Sequence, residues 1–222
     1  MSFRAAVIIP AYNEAGRILR VIEKVKAKGL PVLVVNDGSD DDTAAVASQA
    51  GANVISLSSN QGKGAAIREG LSCFLKENYD GIILMDADEQ HDPNDLRCFV
   101  EALESQNGDL ILGNRMASPE NMPWIRRVTN RVMSFIISSA SGQKIPDSQC
   151  GFRALHRHVV EKIRIKTNRF EAESEMILDA ARHGFTIRSI PVASVYAGEH
   201  SHIHPIRDTF RFFRFLFSRL LE

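Results

Sequence analysis

Four acids fall within eight residues at MDADEQHD (85–92), directly after the apolar run GIILM (81–85). Carboxylates that crowd one another raise each other's pKa, so such a cluster needs either a bound cation or full exposure to water. Asp86 and Asp88 are two residues apart, and in extended backbone they project to the same side. Paired hard oxygen donors of this kind suit Mg²⁺ or Mn²⁺, which take one or two carboxylates and complete their shell with substrate phosphates and water. Gln90 adds a neutral oxygen two residues on. The competing reading is a solvated acidic turn, since a bare D-x-D is a short motif with many chance matches. Its place at the mouth of a buried strand favours the metal. Glu89 alternates away from the pair and is expected to be solvated. Asp92 precedes Pro93, where helix capping accounts for it.

Other segments invite chemical readings. The three aspartates of SDDDT (39–43) open a predicted helix, where capping and the helix dipole account for them. Asn60–Gly64 (NQGKG) resembles a phosphate loop but lacks the Walker spacing, since position 57 is Leu. Gly62 and Gly64 would let backbone approach a ligand at a helix N-terminus, with Lys63 as a mobile cation. Plain helix entry with a surface lysine explains the same residues equally well. His200, His202 and His204 alternate, but their spacing fits no standard structural zinc site, which leaves phosphate-contacting or surface roles.

The elements that must carry these residues alternate regularly. AAVII (5–9), PVLVV (31–35), NVISL (53–57), GIILM (81–85) and DLILG (109–113) are short, largely apolar runs without alternation, as expected of strands buried on both faces. Helical periodicity separates them, over 15–28, 40–50, 62–77 and 93–104. Strand–helix–strand repetition predicts an α/β fold, a mostly parallel sheet flanked by helices, with ligands beyond the C-terminal strand ends. PAYNE, NDGSDDD, SSNQGKG, DADEQ and GNR all fall at those ends. After residue 115 the pattern changes. Residues 123–141 read as an amphipathic helix, 148–155 as a strand or loop, 171–183 as a helix and 186–192 as a late strand. One domain is expected over 1–222: a ligand-binding half (1–115), a second half (116–204) and an amphipathic C-terminal helix (205–222).

Composition narrows the function. The chain has 222 residues and a formal net charge of zero, so no global field draws it to nucleic acid. Three widely spaced cysteines argue against a disulfide framework and fit a reducing, cytoplasmic setting. Neither a signal peptide nor an apolar stretch long enough to span a bilayer is read in the chain.

PAYNE (10–14), NDGSDDDT (36–43), NQGKGAA (60–66), DADEQHDP (86–93) and DSQCGFRAL (147–155) together resemble the family 2 glycosyltransferases of the GT-A fold. Their order and spacing are most similar to the branch that transfers sugars to dolichyl or polyprenyl phosphate. The usual forms there are P-x-Y-N-E, D-D-G-S, N-x-G-K-G, D-A-D-x-Q-H and D-x-x-x-G-F-R. The resemblance implies that Pro10, Ala11, Tyr12 and Glu14 line a base and ribose site. Asp37 would contact the nucleoside with Lys63 nearby, and Ala87 would also lie in the nucleotide-sugar site. Asp86, Asp88 and Gln90 would hold Mg²⁺ or Mn²⁺ on the diphosphate of a UDP- or GDP-sugar. Arg115, Arg131 and Arg153 are candidates for the acceptor side, with Asp147 in the acceptor loop. Asn36 replaces the usual first Asp of D-D-G-S, and a structural role is expected of it. The C-terminal membrane helices frequent in that branch are not read in this chain.

The acceptor decides whether a base is needed. A phosphate monoester has a second pKa of about 6 and is already largely anionic at neutral pH, so it can attack an anomeric carbon directly. A hydroxyl acceptor would need a carboxylate base, for which Asp147 is the candidate. The expected activity is therefore inverting, metal-dependent hexosyl transfer to a polyprenyl phosphate. The alternatives are a glycan or small-molecule hydroxyl acceptor, a sugar nucleotidyltransferase, and a non-catalytic nucleotide-binding module. The C-terminal stripe of Phe210, Phe213, Phe217 and Leu220 beside Arg207, Arg211 and Arg214 suits peripheral contact with an anionic membrane. Packing on the core or on a second subunit suits it about as well.

Overall fold

The computed structural model describes residues 3–120 and 122–193. The expected helix over 205–222 and His200, His202 and His204 lie outside them. Seven strands form one sheet: β1 Ala5–Ala11, β2 Val32–Asn36, β3 Asn53–Ser56, β4 Gly81–Leu84, β5 Leu110–Asn114, β6 Arg153–His156 and β7 Ile187–Pro191. Their spatial order is β3-β2-β1-β4-β6-β5-β7. The helices are α1 Ile18–Lys26, α2 Thr43–Gln49, α3 Lys63–Phe74, α4 Leu96–Glu104, α5 Trp124–Ser141, α6 Arg157–Lys162 and α7 Glu171–Arg182. Short α6 is not visible as a periodic pattern in the sequence.

Successive side chains of a strand point to opposite faces, and the sheet uses both. Ile8, Val35, Ile82, Leu84, Leu110 and Leu155 pack with Ile67 and Leu71 of α3, Met133 and Ile137 of α5, and Met176 and Ile177 of α7. Val7, Ile9, Val34, Ile83 and Ile111 pack with Ile18, Val21 and Ile22 of α1, Ala47 of α2, and Leu96 and Phe99 of α4. Helices cover both faces over the central strands, which is why those strands lack alternation; β3, at the sheet edge, departs from the expectation, with Asn53 and Ser56 exposed and Val54 and Ile55 only partly buried.

One departure from a parallel sheet shapes the site. Strand β6 enters between β4 and β5 and runs antiparallel to both, pairing Leu84 with Arg153 and Leu112 with Arg153. Its first residue therefore lies at the C-terminal ends of β4 and β5. The segment leading into it, 147–152, is delivered to the edge where the polar loops of the first half collect. Residues of the two halves of the chain thus share one sheet and one edge.

Candidate active site

The loops after β1 and β2 are laced together. The backbone N–H of Asn13 donates to Ser39 Oγ at 2.9 Å, that of Glu14 to Thr43 Oγ1 at 2.8 Å, and that of Ala15 to Asp41 Oδ2 at 3.1 Å. Asp40 N donates back to Asn13 Oδ1 at 2.9 Å, and Asn13 holds a φ of 55°. Tyr12 stays exposed, its hydroxyl 3.4 Å from Asp40 Oδ2. Ala11 and Ala87 turn their methyls into the apolar core. Of the three aspartates in SDDDT, Asp41 is the one that caps, accepting from Thr43 N at 3.0 Å. Asn36 accepts from Ser39 N and donates to Ser56 Oγ, both at 3.1 Å, a structural role as expected.

The carboxylate of Asp37 holds the backbone of the loop before α3. It is buried, and its two oxygens accept from Gln61 N and Gly62 N, each at 2.8 Å. The N-terminus of α3 is likewise occupied, because Asn168 O accepts from Gly64 N at 2.8 Å and from Ala65 N at 3.3 Å. A Cβ on Gly62 would meet Asn168 O at 2.4 Å, and one on Gly64 would meet Thr167 O at 2.5 Å. These glycines admit the 167–168 backbone rather than a phosphate. That strand of chain is shaped in turn by buried Glu175, whose Oε2 accepts from Lys166 N and Thr167 N at 2.9 and 2.8 Å.

Lys63 is not a free surface lysine but is paired on two sides. Its Nζ lies 2.5 Å from Asp86 Oδ1 and 2.7 Å from Glu173 Oε1, with 18% of the side chain exposed. Burial alone would lower the lysine pKa, but the charges of Asp86 and Glu173 hold it above its ordinary value. Burial would raise Asp86, and Lys63 and His91 hold it below the usual carboxylate range instead. His91 Nε2 is 3.5 Å from Asp86 Oδ2; its ring packs on Phe152 at 5.0 Å, and its Nδ1 is buried without a partner. Asp88 accepts from Gln90 N at 3.0 Å, and burial together with the negative charge of Asp86 pushes its carboxyl up. Glu89 points away from the pair, as expected: at a φ of 63° it swings out to a solvent-facing bidentate pair with Arg20, both contacts at 2.7 Å. Asp92 caps as expected, accepting from Asn94 N at 2.9 Å.

The donor set fits a divalent cation shared with substrate. Two adjacent carboxylates, one of them pushed up by burial and by the charge of the other, are the environment a hard cation relieves. Among the described residues no group of three or more His, Cys, Asp or Glu forms a complete protein cage.

Segment 147–153 has a different use from the one expected. Asp147 accepts from Arg115 N, Nε and Nη2 at 3.0, 2.9 and 3.0 Å, from Asn130 Nδ2 at 2.7 Å and from Gln149 N at 3.1 Å. It is buried; burial favours its neutral form, yet Arg115 and Asn130 hold its pKa below the ordinary value. A carboxylate so engaged is a poor proton acceptor, so Asp147 is a clamp for Arg115 rather than a base. Arg153 is not on the acceptor side at all. It is fully buried, and it donates to Cys150 O and Ser148 O, both at 2.8 Å, and to Glu173 O. Arg131 is exposed on α5.

Sequence reasoning missed Gly151, Asn130, His91 and Glu173. A Cβ on Gly151 would meet Asp86 Oδ2 at 2.3 Å and Cγ at 2.8 Å. The glycine is therefore required for the 150–152 backbone to lie against the carboxylate. The G-F-R triplet was its one signal; Glu173 is one acid among several in EAESE and carries none.

The family model of glycosyl transferase family 2 matches residues 6–164. The polyprenol monophosphomannose synthase of Mycolicibacterium smegmatis is 30% identical over 203 residues, covering 85% of this chain and 76% of that one. The UDP-N-acetylglucosamine–dolichyl-phosphate N-acetylglucosaminyltransferase of Methanococcus voltae is 27% identical over 213 residues, covering 86% and 85%. Among solved structures, glucosyl-3-phosphoglycerate synthase of Mycobacterium tuberculosis, in complex with Mn²⁺, UDP and phosphoglyceric acid, superposes with a TM-score of 0.74. It is 20% identical and covers 99% of this chain and 78% of that one. The chain belongs to glycosyl transferase family 2: it is a glycosyltransferase of the GT-A fold.

Proposed function

We propose that this protein transfers a hexose from a nucleotide-diphosphate sugar to a polyprenyl phosphate, with inversion at the anomeric carbon and with Mg²⁺ or Mn²⁺ as cofactor. The observation that carries the lipid acceptor is the outer face of α5. Trp124, Ile125, Val128, Val132 and Phe135 are all at least half exposed, Trp124 and Phe135 by 72% and 73%. At the α-helical period they fall within about 100° of one another. The helix carries three arginines and no acidic residue, and Arg127 and Arg131 border the apolar arc. Apolar and aromatic residues beside cations suit a lipid with an anionic headgroup. The same helix reaches into the site, where Asn130 holds Asp147 and through it Arg115. No helix of the described residues is long and apolar enough to cross a membrane, and the contact proposed for α5 is a peripheral one.

The arrangement supports direct attack by an already anionic phosphate oxygen. Asp147 is committed to Arg115, so it does not deprotonate an acceptor. Tyr12 and Glu14 border the nucleoside side, while Asp86 and Asp88, with Gln90, hold the cation. When bound, that cation supplies Lewis-acid stabilisation of the departing diphosphate. Lys63 adds a fixed positive charge at the same place, and Arg115 and Arg131 supply cations on the acceptor side. The two sequence relatives above carry dolichyl phosphate and polyprenol monophosphomannose in their names, which agrees with this reading.

The test is transfer from UDP- and GDP-linked sugars to a short-chain polyprenyl phosphate, against the matching polyprenol and a panel of sugar hydroxyls, with and without Mn²⁺. The expected result is a phosphodiester-linked product formed only with the lipid phosphate and the cation. Efficient transfer to hydroxyl acceptors, with none to the phosphate, would overturn the reading.

A further inference from the structure

We infer that Glu173 is a positioning residue for the donor site: it anchors Lys63 so that the lysine yields Asp86 to a divalent cation and remains beside the diphosphate. The inference rests on the metal-dependent reading above.

The geometry forces a choice at Asp86. Its Oδ2 faces His91 Nε2 at 3.5 Å and abuts Gly151, where even a Cβ would come within 2.3 Å. The oxygen left for a cation is Oδ1, and Lys63 Nζ lies on it at 2.5 Å. A divalent cation bonded to a carboxylate oxygen at about 2.1 Å and an ammonium at hydrogen-bond distance from that same oxygen repel one another strongly. Lys63 must therefore move away from Asp86, and it needs a counter-ion when it does. Glu173 Oε1, at 2.7 Å, already provides one.

The anchor is itself held. Glu173 is buried in the first turn of α7, and its carbonyl accepts from the guanidinium of fully buried Arg153. Arg153 opens β6, paired with Leu84 at the end of β4, two residues before Asp86. Arg153, Glu173, Lys63 and Asp86 thus form one chain of contacts across β6, α7, α3 and the loop after β4. Without Glu173, Lys63 would keep Asp86 as its sole carboxylate partner and oppose cation entry. With it, the lysine becomes a second, monovalent charge for the leaving group.

The test measures Mn²⁺ binding without nucleotide, by electron paramagnetic resonance of free Mn²⁺, in wild type, Glu173→Gln, Lys63→Met and the double variant. Circular dichroism and thermal unfolding confirm that each is folded. Glu173→Gln is expected to weaken Mn²⁺ binding about tenfold, the lower end for loss of a group that orients a metal ligand. In the Lys63→Met background the same substitution should have a much smaller effect, because the competitor is gone. Lys63→Met alone should bind Mn²⁺ more tightly than wild type while losing turnover. That single variant tests the competition even if Glu173→Gln fails to fold. An equal or larger effect of Glu173→Gln in the Lys63→Met background would show that Glu173 acts on the cation directly and would overturn the proposal, as would weaker binding in Lys63→Met. Wild type that binds no Mn²⁺, with or without UDP or GDP, would sink the metal-dependent reading itself and this inference with it. Loss of lipid-phosphate transfer specificity alone, with these metal affinities as stated, would count only against the acceptor.

Discussion

Replacing Gly151 with Ala isolates one steric relation at the centre of the site. The added Cβ would stand 2.3 Å from Asp86 Oδ2, and ordinary van der Waals contact begins at 3.4 Å, so the carboxylate must retreat by about 1 Å. The backbone cannot relieve the clash cheaply, since Cys150 and Phe152 on either side are fully buried. Nor does the substitution strain the chain directly, because Gly151 is not in the left-handed region. A retreat of this size displaces the carboxylate from the position in which it pairs with Lys63 at 2.5 Å. Misplacement of a catalytic group by about 1 Å lowers rate by about 10²-fold, or about 2.7 kcal/mol of transition-state stabilisation. The assay is kcat/KM for sugar transfer, paired with Mn²⁺ affinity and with urea unfolding to confirm the fold. The expected result is a fall in kcat/KM of about 10²-fold and weaker Mn²⁺ binding in a protein that still unfolds cooperatively. Wild-type kcat/KM together with wild-type Mn²⁺ affinity in Gly151→Ala would refute the reasoning, since Asp86 would then tolerate displacement.

Arg153→Met should lower unfolding free energy by about 3 kcal/mol or more, because the carbonyls of Ser148, Cys150 and Glu173 lose their buried donor; urea midpoints read this directly. Asp147 is held below its ordinary pKa, so its contribution to stability is present above the unfolded-state value of about 3.9 and is lost as pH falls through the folded value. The gap in urea midpoint between wild type and Asp147→Asn should therefore be widest at neutral pH and close under acid; a gap independent of pH would contradict the clamp. Phe135→Asp on the exposed face of α5 should change stability by less than about 0.5 kcal/mol while reducing sedimentation with anionic vesicles and transfer to long polyprenyl phosphates. Cys150 is buried and its thiol is pushed up to about 12 by burial, so a thiol reagent at neutral pH should label exposed Cys98 first and reach Cys150 only on unfolding.

Some residues were legible in the sequence because their role is local. Asp86 and Asp88 stand two apart at the mouth of an apolar strand, and Asp92 caps the turn that begins at Pro93. Those relations depend on spacing along the chain, which the sequence states. The apolar strands and the 3.6-residue periodicities between them likewise determined a helix-covered sheet whose polar loops share one edge, since burial on two faces leaves no alternation. Tertiary structure decided which charged groups meet. Glu173 reaches Lys63 across 110 residues of chain. Arg115 is matched to Asp147, and Arg153 is withdrawn from the acceptor side into the interior. The placements of Asp147 and Arg153 follow from β6 running antiparallel between β4 and β5, and the Lys63–Glu173 pair from α7 packing against α3, arrangements no local pattern encodes. An arginine in sequence is equally ready to bind a substrate phosphate or three backbone carbonyls. Which it does depends on the solvent and partners around it, and only the folded chain supplies those.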